Sequence, residues 1–262
     1  MQTITRFDQL ADRHGFIVVY PFITTYGGVR LRNCWGWWRH RDIRRGGGEV
    51  EDLWNIANAV RRSHRIDPDR IHVTGLSSGA AMAVAMTVVH GSKIASCATV
   101  AGVAYGESIW ALGRYPRVKQ TASTVADMKQ AMGADRNVTP LFIAHSADDS
   151  VVGLRAAQKL RDSWIACFDL DAESADVTRG KHHRKPWSLT TYSDGEGAST
   201  LDYLVLKGYE HGWYGGAPGP FSVTDAPDVS SMIWSFFARH PRKGKKRAVQ
   251  ASANDRLRLM AS

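Results

Sequence analysis

The sequence predicts an α/β protein with a mostly parallel sheet and helices on both of its faces. Segments whose apolar residues recur at helical spacing alternate with short apolar segments along the chain. The short segments are mostly apolar, which is typical of strands buried on both sides. The 262 residues are 44% hydrophobic and 23% charged, which excludes a disordered protein and suffices for one substantial core.

The N-terminal part predicts a helix, a strand and a second helix. Residues 2–13 carry apolar side chains at helical spacing. Residues 16–20 are an unbroken apolar run that ends at a proline, so we predict a buried strand there. An irregular, glycine-rich segment covers 22–48, and residues 49–64 then place their apolar residues on one helical stripe.

The middle of the chain predicts two further strands. Residues 71–74 form a short strand that ends at Gly75, and a helix of small residues starts directly after this turn. A second apolar run predicts a strand over 94–101. Residues 104–138 have no clear periodicity, so no element is predicted there.

The C-terminal part continues the alternation of strands and helices. We predict a strand at 141–144, a helix at 153–165, a strand at 201–206 and a helix at 226–239. Asp225 precedes the last helix and is a plausible N-cap. Strands separated by helices in this way predict a parallel sheet.

The charge distribution divides the chain into a domain at 1–240 and a basic tail at 241–262. The net charge is +9, and from Arg242 onward seven Lys or Arg residues stand against Asp255, which places +6 in the tail and +3 in the domain. A solvated, disordered terminus is the simpler interpretation of the tail. Contact with an acidic surface or nucleic acid is the alternative; we expect no nucleic-acid partner.

Several functional classes are excluded by composition. The sequence has no apolar run of the roughly 18 residues that a membrane-spanning helix needs, and no apolar core of a signal peptide near Met1. Its three cysteines are far apart and lack the spacing of a zinc site. No phosphate-binding loop or metal-ligand cluster occurs, so we expect no cofactor.

One turn carries the pattern of a catalytic serine. Gly75-Leu76-Ser77-Ser78-Gly79 matches G-x-S-x-G between a predicted strand and a predicted helix, the context that this motif requires. The glycines leave room for a sharp turn, and the strained serine projects its hydroxyl beside a helix N-terminus. We therefore predict that Ser77 is a nucleophile. The alternative is a glycine-rich connection with incidental serines.

Two later loops carry the acid and the histidine that a serine nucleophile needs, in the expected chain order. Asp148 and Asp149 follow one predicted strand, and His211 follows the next. Because His145 precedes both aspartates, His211 is the better candidate for the base. Helix capping by Asp149 and an ordinary surface-loop histidine at position 211 are the alternatives.

These residues lie within a longer series of familiar segments. The chain resembles the esterases of the polyhydroxybutyrate (PHB) depolymerase family, in the α/β-hydrolase superfamily, which are related to acetylxylan and feruloyl carbohydrate esterases. The matching segments, in the family's order, are LADRHGFIVVYP (10–21), NCWGWW (33–38), RRGGGEVEDL (44–53), RIDPDRIHVTGLSSGAAMA (65–83), HSADDSVV (145–152) and HGWYGG (211–216). The resemblance implies an α/β-hydrolase fold and a serine carboxylesterase.

The resemblance also implies roles for individual residues. The family's H-G-x-x-D-x-x-V pattern puts the catalytic acid at Asp149, with Asp148 as the runner-up. Ser146 stands where the family usually has glycine, which implies a slightly different turn. Ser77 would attack an ester carbonyl with His211 as the base, and water would then release the acid from the acyl-enzyme.

The resemblance further implies where substrate binds. The backbone N–H of Ser78 would be one oxyanion donor. Trp35 and Trp213 would either line the acyl or polymer cleft or pack in the core, and the two alternatives stay open. Nine tryptophans suit an apolar cleft for an aromatic or polyester substrate. Short-chain polyhydroxyalkanoates or other polyesters are the leading substrates, and acetyl or feruloyl esters of carbohydrates are the alternative.

The sequence departs from the family at its N-terminus. Family members carry additional strands before the first helix, and the last of these ends in an HGC-type loop that supplies a second oxyanion donor. That strand would lie between the strands predicted at 16–20 and 71–74. Three explanations stay open: a start assigned too late, a truncated remnant that is inactive or poorly folded, or a sheet whose two strands close up and leave an impaired enzyme. Under the first, an extracellular location and pairing of Cys34 with the missing loop's cysteine are implied. A non-catalytic remnant or binding protein that uses the basic tail is the competing function.

Overall fold

The structure, a computed structural model, describes residues 1–23, 34–134, 137–194 and 197–242. Its α-helices are α1 (Gln2–Thr5), α2 (Phe7–His14), α3 (Gly48–Ser63), α4 (Ser78–His90), α5 (Thr121–Met132), α6 (Leu154–Phe168) and α7 (Val229–Arg239). Its strands are β1 (His72–Leu76), β2 (Ser96–Val100), β3 (Leu141–Ser146), β4 (Asp171–His182), β5 (Lys185–Ser193), β6 (Ser199–Leu206), β7 (Trp213–Tyr214) and β8 (Ser222–Val223). Short 3-10 helices cover His40–Asp42 and Ile109–Ala111. This alternation confirms the predicted α/β class.

The central sheet brings the carboxyl ends of four strands to one edge. Its order is β1-β2-β3-β6-β5-β4, and β1, β2, β3 and β6 are parallel to one another. In the register, Leu76 pairs with Val100, and Val100 pairs with Ala144. The loops that follow β1, β3 and β6 therefore start at the same edge of the sheet, the first of them two residues before the other two, and functional groups of parallel sheets collect at this edge.

Apolar side chains cover both faces of the sheet. On β3, Leu141 and Ile143 join a cluster with residues of α3, α4, α5 and α6. Phe142 and Ala144 point the other way and join a second cluster with residues of α2 and α7. This alternation is the period of two that a strand imposes, and it confirms helices on both faces of the sheet.

The predicted strand at 16–20 is wrong. Residues 16–20 form no regular secondary structure and pair with no described strand, and β1 is an edge strand of the sheet among the described residues. Phe16 packs on the core, whereas Ile17 and Val19 are 47% and 41% exposed. An apolar run indicates that side chains are buried, but it does not show that the backbone pairs with another strand. The run alone therefore could not distinguish a strand from an irregular segment packed on one side.

Three further differences are local. The helix predicted at 2–13 is divided at Arg6, whose φ of 56° lies in the left-handed region. The last helix is capped by Asp228 and not by Asp225, because the Asp228 carboxylate accepts hydrogen bonds from the amides of Ser230 and Ser231 at 3.1 and 3.2 Å. Helix α5 occupies part of the segment for which no element was predicted.

The antiparallel part of the sheet was not predicted at all. β4 and β5 form a hairpin, and β5 pairs antiparallel with β6. The hairpin turns at His183 and Arg184, whose φ angles are 46° and 69°. Two successive positive φ values are typical of a type I′ turn, which sequence analysis recognises by Asn-Gly or Asp-Gly, and neither pair occurs here.

Most of the predicted basic tail lies outside the described residues, which end at Arg242. The guanidinium of Arg242 donates hydrogen bonds to the Asp69 carboxylate at 2.7 and 3.1 Å and to the Ser92 carbonyl at 2.5 Å. The first residues of the tail thus lie against the domain, and the boundary at 240/241 stays a prediction. Within the described part of the chain, no helix has the length and apolar character to cross a membrane.

Candidate active site

Ser77 occupies a strained turn between β1 and α4. Its φ and ψ are 55° and −117°, in a region that residues with a side chain rarely adopt. The amide of Ser77 donates to the Val100 carbonyl at 2.9 Å, and its carbonyl accepts from the Ala81 amide at 3.0 Å. Neighbouring elements therefore hold the backbone on both sides of the strained residue, as the G-x-S-x-G pattern predicts.

Gly75 permits this turn because β1 and α4 approach each other there. A Cβ on Gly75 would lie 2.7 Å from the backbone nitrogen of Ala80 and closer still to the backbone of Gly79. No side chain caps the N-terminus of α4. The amides of its first turn, including that of Ser78, have no carbonyl partner within the helix and carry its positive dipole end.

Asp149 lies in the loop after β3, and its carboxylate is held by three hydrogen bonds. Its Oδ1 accepts from the amides of Val151 and Val152, both at 2.8 Å, and its Oδ2 lies 2.7 Å from Nδ1 of His211. Burial acts to raise the pKa of this carboxyl, but the hydrogen bond and charge of His211 and the Val152 amide outweigh it. The pKa of Asp149 therefore lies below its ordinary value.

The partner of His211 fixes which ring nitrogen carries the proton. A carboxylate can only accept, so Nδ1 of His211 donates to Asp149 and the neutral ring presents an unprotonated Nε2. The His211 side chain is 9% exposed, while that of Asp149 is fully buried. This arrangement suits a base whose tautomer is set by a buried acid.

The alternative acid and the alternative histidine are placed elsewhere. Asp148 is exposed, and its Oδ2 accepts from the Gly208 amide at 2.6 Å. His145 is completely buried, and its Nε2 lies 2.7 Å from the Val152 carbonyl. Burial lowers the pKa of His145 even though Asp149 is near, so this ring is neutral at pH 7 and supports the loop.

Sequence analysis missed the side chains that join the acid loop to the histidine loop. The hydroxyl of Ser146 donates to the Tyr209 carbonyl at 2.6 Å, and the Ser146 amide donates to the Tyr214 hydroxyl at 3.1 Å. Burial, together with the nearby charge of Asp149, raises the pKa of Tyr214. The replacement of glycine by Ser146 was the one signal in the sequence that could have pointed to this connection.

Ser77 shares a sheet edge with the pair formed by Asp149 and His211. Backbone hydrogen bonds connect the neighbouring strand ends one after another. The Ser77 amide donates to the Val100 carbonyl at 2.9 Å. The Ala101 amide donates to the Ala144 carbonyl at 3.0 Å, and the Ala147 amide donates to the Leu206 carbonyl at 2.7 Å. Among the described residues, the Ser77 hydroxyl makes no hydrogen bond to the His211 ring. Contacts of this kind are often long in an enzyme without substrate and tighten in the complex.

The two tryptophans that were expected to line a cleft differ in position. Trp213 is fully buried, and its indole N–H donates to Ser230 Oγ at 2.9 Å, so its substrate-binding assignment is corrected to core packing. Trp35 is partly exposed, and its ring lies 3.9 Å from the position a Cβ on Gly79 would occupy. Trp35 is therefore adjacent to the turn that carries Ser77.

The described cysteines and potential metal ligands form neither a disulfide nor a metal site. Cys34, Cys97 and Cys167, all in the described part of the chain, form no disulfide with one another. Over the same residues, no three His, Cys, Asp or Glu side chains are grouped so that they could hold a metal ion.

Comparisons with known proteins show the family to which the chain is similar. The family model described as esterase PHB depolymerase matches residues 1–182. Poly(3-hydroxyalkanoate) depolymerase C of Paucimonas lemoignei is 25% identical over 211 residues, which are 78% of this chain and 49% of that protein. Acetylxylan esterase A of Emericella nidulans is 32% identical over 219 residues, which are 79% of this chain and 69% of that protein.

A solved structure gives the same fold. The acetyl xylan esterase from Aspergillus awamori superposes with a TM-score of 0.67 and 19% sequence identity, over 89% of this chain and 82% of that one. The chain spans about half the length of the Paucimonas lemoignei depolymerase.

Proposed function

Because the chain belongs to the esterase PHB depolymerase family, we propose that it is a serine esterase that cleaves carboxylic esters through Ser77, His211 and Asp149. The observation that carries the proposal is the 2.7 Å hydrogen bond between His211 and the buried Asp149 carboxylate, at the sheet edge where Ser77 occupies its strained turn. A histidine so oriented is a base for a serine nucleophile, and the order Ser, Asp, His is that of α/β-hydrolases.

The proposed reaction proceeds in two steps. His211 Nε2 takes the proton of the Ser77 hydroxyl as the oxygen attacks the ester carbonyl, and the Asp149 carboxylate stabilises the imidazolium that forms. The Ser78 amide donates to the oxyanion at the N-terminus of α4. The imidazolium then protonates the departing alcohol, which leaves an acyl-enzyme. Water, deprotonated by His211, releases the carboxylic acid by the same route.

Short-chain polyhydroxyalkanoates or related polyesters are the proposed substrates. The named activity of the Paucimonas lemoignei relative supports this choice. The partly exposed Trp35 beside the Ser77 turn supplies apolar surface for an acyl chain. The partner of the protein is thus an ester, either small or polymeric.

An acetylated carbohydrate is the second candidate substrate, favoured by the 32% identity to an acetylxylan esterase. Release of acetate from acetylated xylan and of 3-hydroxybutyrate from a short hydroxybutyrate oligomer, measured side by side, distinguishes the two. We expect the larger kcat/KM on the oligomer, and a larger value on acetylated xylan would transfer the assignment to carbohydrate esters.

We extend the proposal to an extracellular place of action, which rests on family resemblance alone. Immunoblots of the culture medium and the cell fraction of the source organism test it. Enrichment in the medium is the expected result, and retention in the cell fraction would contradict it.

Hydrolysis of p-nitrophenyl butyrate tests the catalytic assignment. We expect the wild-type chain to turn the ester over and Ser77→Ala to lose at least about 10³-fold in kcat with its circular dichroism unchanged, because the nucleophile is gone. Ser63→Ala, at the exposed end of α3, is the matched control and should keep wild-type kcat. Equal turnover by the Ser77 variant and the wild type would refute the proposal.

A further inference from the structure

The segment that carries Trp35 is hydrogen-bonded to one buried carboxylate and lies close to a second. The Gly36 amide donates to Oε2 of Glu49 at 2.6 Å. A Cβ on Gly36 would come within 2.7 Å of Oδ2 of Asp42, so the backbone lies close to this second carboxylate as well. Glu49 and Asp42 are 6% and 7% exposed. These contacts hold the residue next to Trp35 in one place on the domain.

The indole of Trp35 presents its N–H edge to the first turn of α4. Both Cδ1 and Nε1 of the ring lie 3.9 Å from the position a Cβ on Gly79 would occupy. Gly79 follows Ser78, whose amide is the proposed oxyanion donor, and Ser77 precedes both. The indole edge that carries this N–H therefore lies beside the first turn of α4, whose open amides are also donors.

This indole N–H has no hydrogen-bond partner among the described residues. Two buried indoles of the chain have one, whereas the buried Nε1 of Trp187 has none. Nε1 of Trp164 donates to the Thr139 carbonyl at 3.0 Å, and Nε1 of Trp213 donates to Ser230 at 2.9 Å. Trp35 is partly exposed, so its N–H remains available to a ligand.

We infer that Trp35 is a catalytic hydrogen-bond donor that gives its indole N–H to the oxyanion of the tetrahedral intermediate, beside the Ser78 amide. The inference rests on the proposed function, and it deepens the role of this side chain from apolar surface to oxyanion stabilisation. The proton stays on Nε1 throughout, so the donor adds no step to the reaction. Oxyanion sites commonly use two such donors, and a donor aimed at the developing charge acts on kcat.

An isostere without the N–H separates this role from packing. Replacing Trp35 with β-(3-benzothienyl)alanine substitutes sulfur for the N–H and keeps the two-ring shape. On p-nitrophenyl butyrate we expect kcat to fall by about 10²-fold and KM to stay within about twofold. The same replacement at Trp110, which is 68% exposed, is the matched control and should leave both constants unchanged. A rise in KM with kcat unchanged would overturn the inference and show that Trp35 only contacts the bound substrate.

A measurement without turnover gives an independent test. A phosphonate that reacts with Ser77 places an anionic oxygen where the oxyanion forms. In ¹H–¹⁵N spectra of the ¹⁵N-indole-labelled chain, assigned with Trp35→Phe, the Trp35 N–H signal should move downfield when the adduct forms. An unshifted Trp35 signal in a chain that carries the Ser77 adduct overturns the inference alone. Failure of Ser77 to form any adduct overturns the proposed function and this inference with it.

Discussion

The hydroxyl of Ser146 donates a 2.6 Å hydrogen bond to the carbonyl of Tyr209. This bond joins the loop that carries Asp149 to the loop that carries His211, and it is buried. A glycine at position 146 could not make it. The loops that carry the acid and the histidine are thus joined through the side chain of residue 146.

Removing that connection should destabilise the fold. In Ser146→Ala the Tyr209 carbonyl loses its donor in a buried place, so we expect the free energy of unfolding to fall by about 1–3 kcal/mol. Ser150→Ala changes an exposed serine of the same loop and should stay within about 0.5 kcal/mol of wild type. Urea denaturation measures both variants, and equal stability of the two would contradict this account of Ser146.

The two glycines of the serine turn should respond in opposite ways to alanine. Gly75→Ala drives a Cβ into the backbone of Gly79 and Ala80, and we expect a loss of at least about 3 kcal/mol or failure to fold. Gly79→Ala meets only the Trp35 ring, at 3.9 Å, and places a better helix former in α4. Its unfolding free energy should be unchanged or raised by up to about 1 kcal/mol. Thermal unfolding of both variants checks the contrast, which disappears if the strand and helix are farther apart than described.

The two adjacent aspartates should differ sharply in their effect on turnover. In Asp149→Asn the charge that stabilises the His211 imidazolium is lost and the ring tautomer is no longer fixed, so kcat should drop by about 10⁴-fold. Asp148→Asn keeps an oxygen that can accept from the Gly208 amide, and we expect less than a roughly threefold change. Steady-state kinetics on p-nitrophenyl butyrate compares them, and a reversed ranking would move the acid to Asp148.

Stability should fall in mild acid because of His72. Its ring stacks on Phe237 with centroids 4.6 Å apart, and burial, with the charges of Arg70 and His240, lowers its pKa from 6.5 to about 3. Between these two values the unfolded chain binds a proton that the folded chain does not, so stability decreases as the pH falls. This group contributes a loss of about 2 kcal/mol from pH 7 to pH 5.

His72→Phe tests that contribution. The variant keeps an aromatic ring against Phe237 and removes the titrating group, so its unfolding free energy should lose about 2 kcal/mol less than wild type over the same pH range. Urea denaturation at pH 7 and pH 5 gives the comparison. Identical pH dependence in the variant and the wild type would show that His72 does not carry the effect.

Much of the fold could be predicted because the parallel core imposes a simple pattern. The unbroken apolar run that gave the strand around Ile143 arises because both faces of the sheet are covered there. The β4–β5 hairpin was not predicted, because its turn places His183 and Arg184 at positive φ and lacks the glycine by which such turns are usually recognised.

The candidate site was predictable as far as local motifs reach. The G-x-S-x-G turn and the order of Asp149 and His211 follow from strand ends that meet at one edge. The burial of Trp213 could not be predicted, because a tryptophan beside loop glycines has the same composition whether it packs in a core or faces a cleft. The Ser146–Tyr209 bond spans 63 residues of sequence, beyond any local pattern.

Reaction with diisopropyl fluorophosphate, followed by mass spectrometry of the intact chain and of its peptides, tests the central claim most directly. We predict one adduct per chain on Ser77 in the wild type, slow labelling in Asp149→Asn and no adduct in Ser77→Ala. A wild-type chain that stays unmodified, or an adduct on a residue other than Ser77, would contradict the assignment of this serine as the nucleophile.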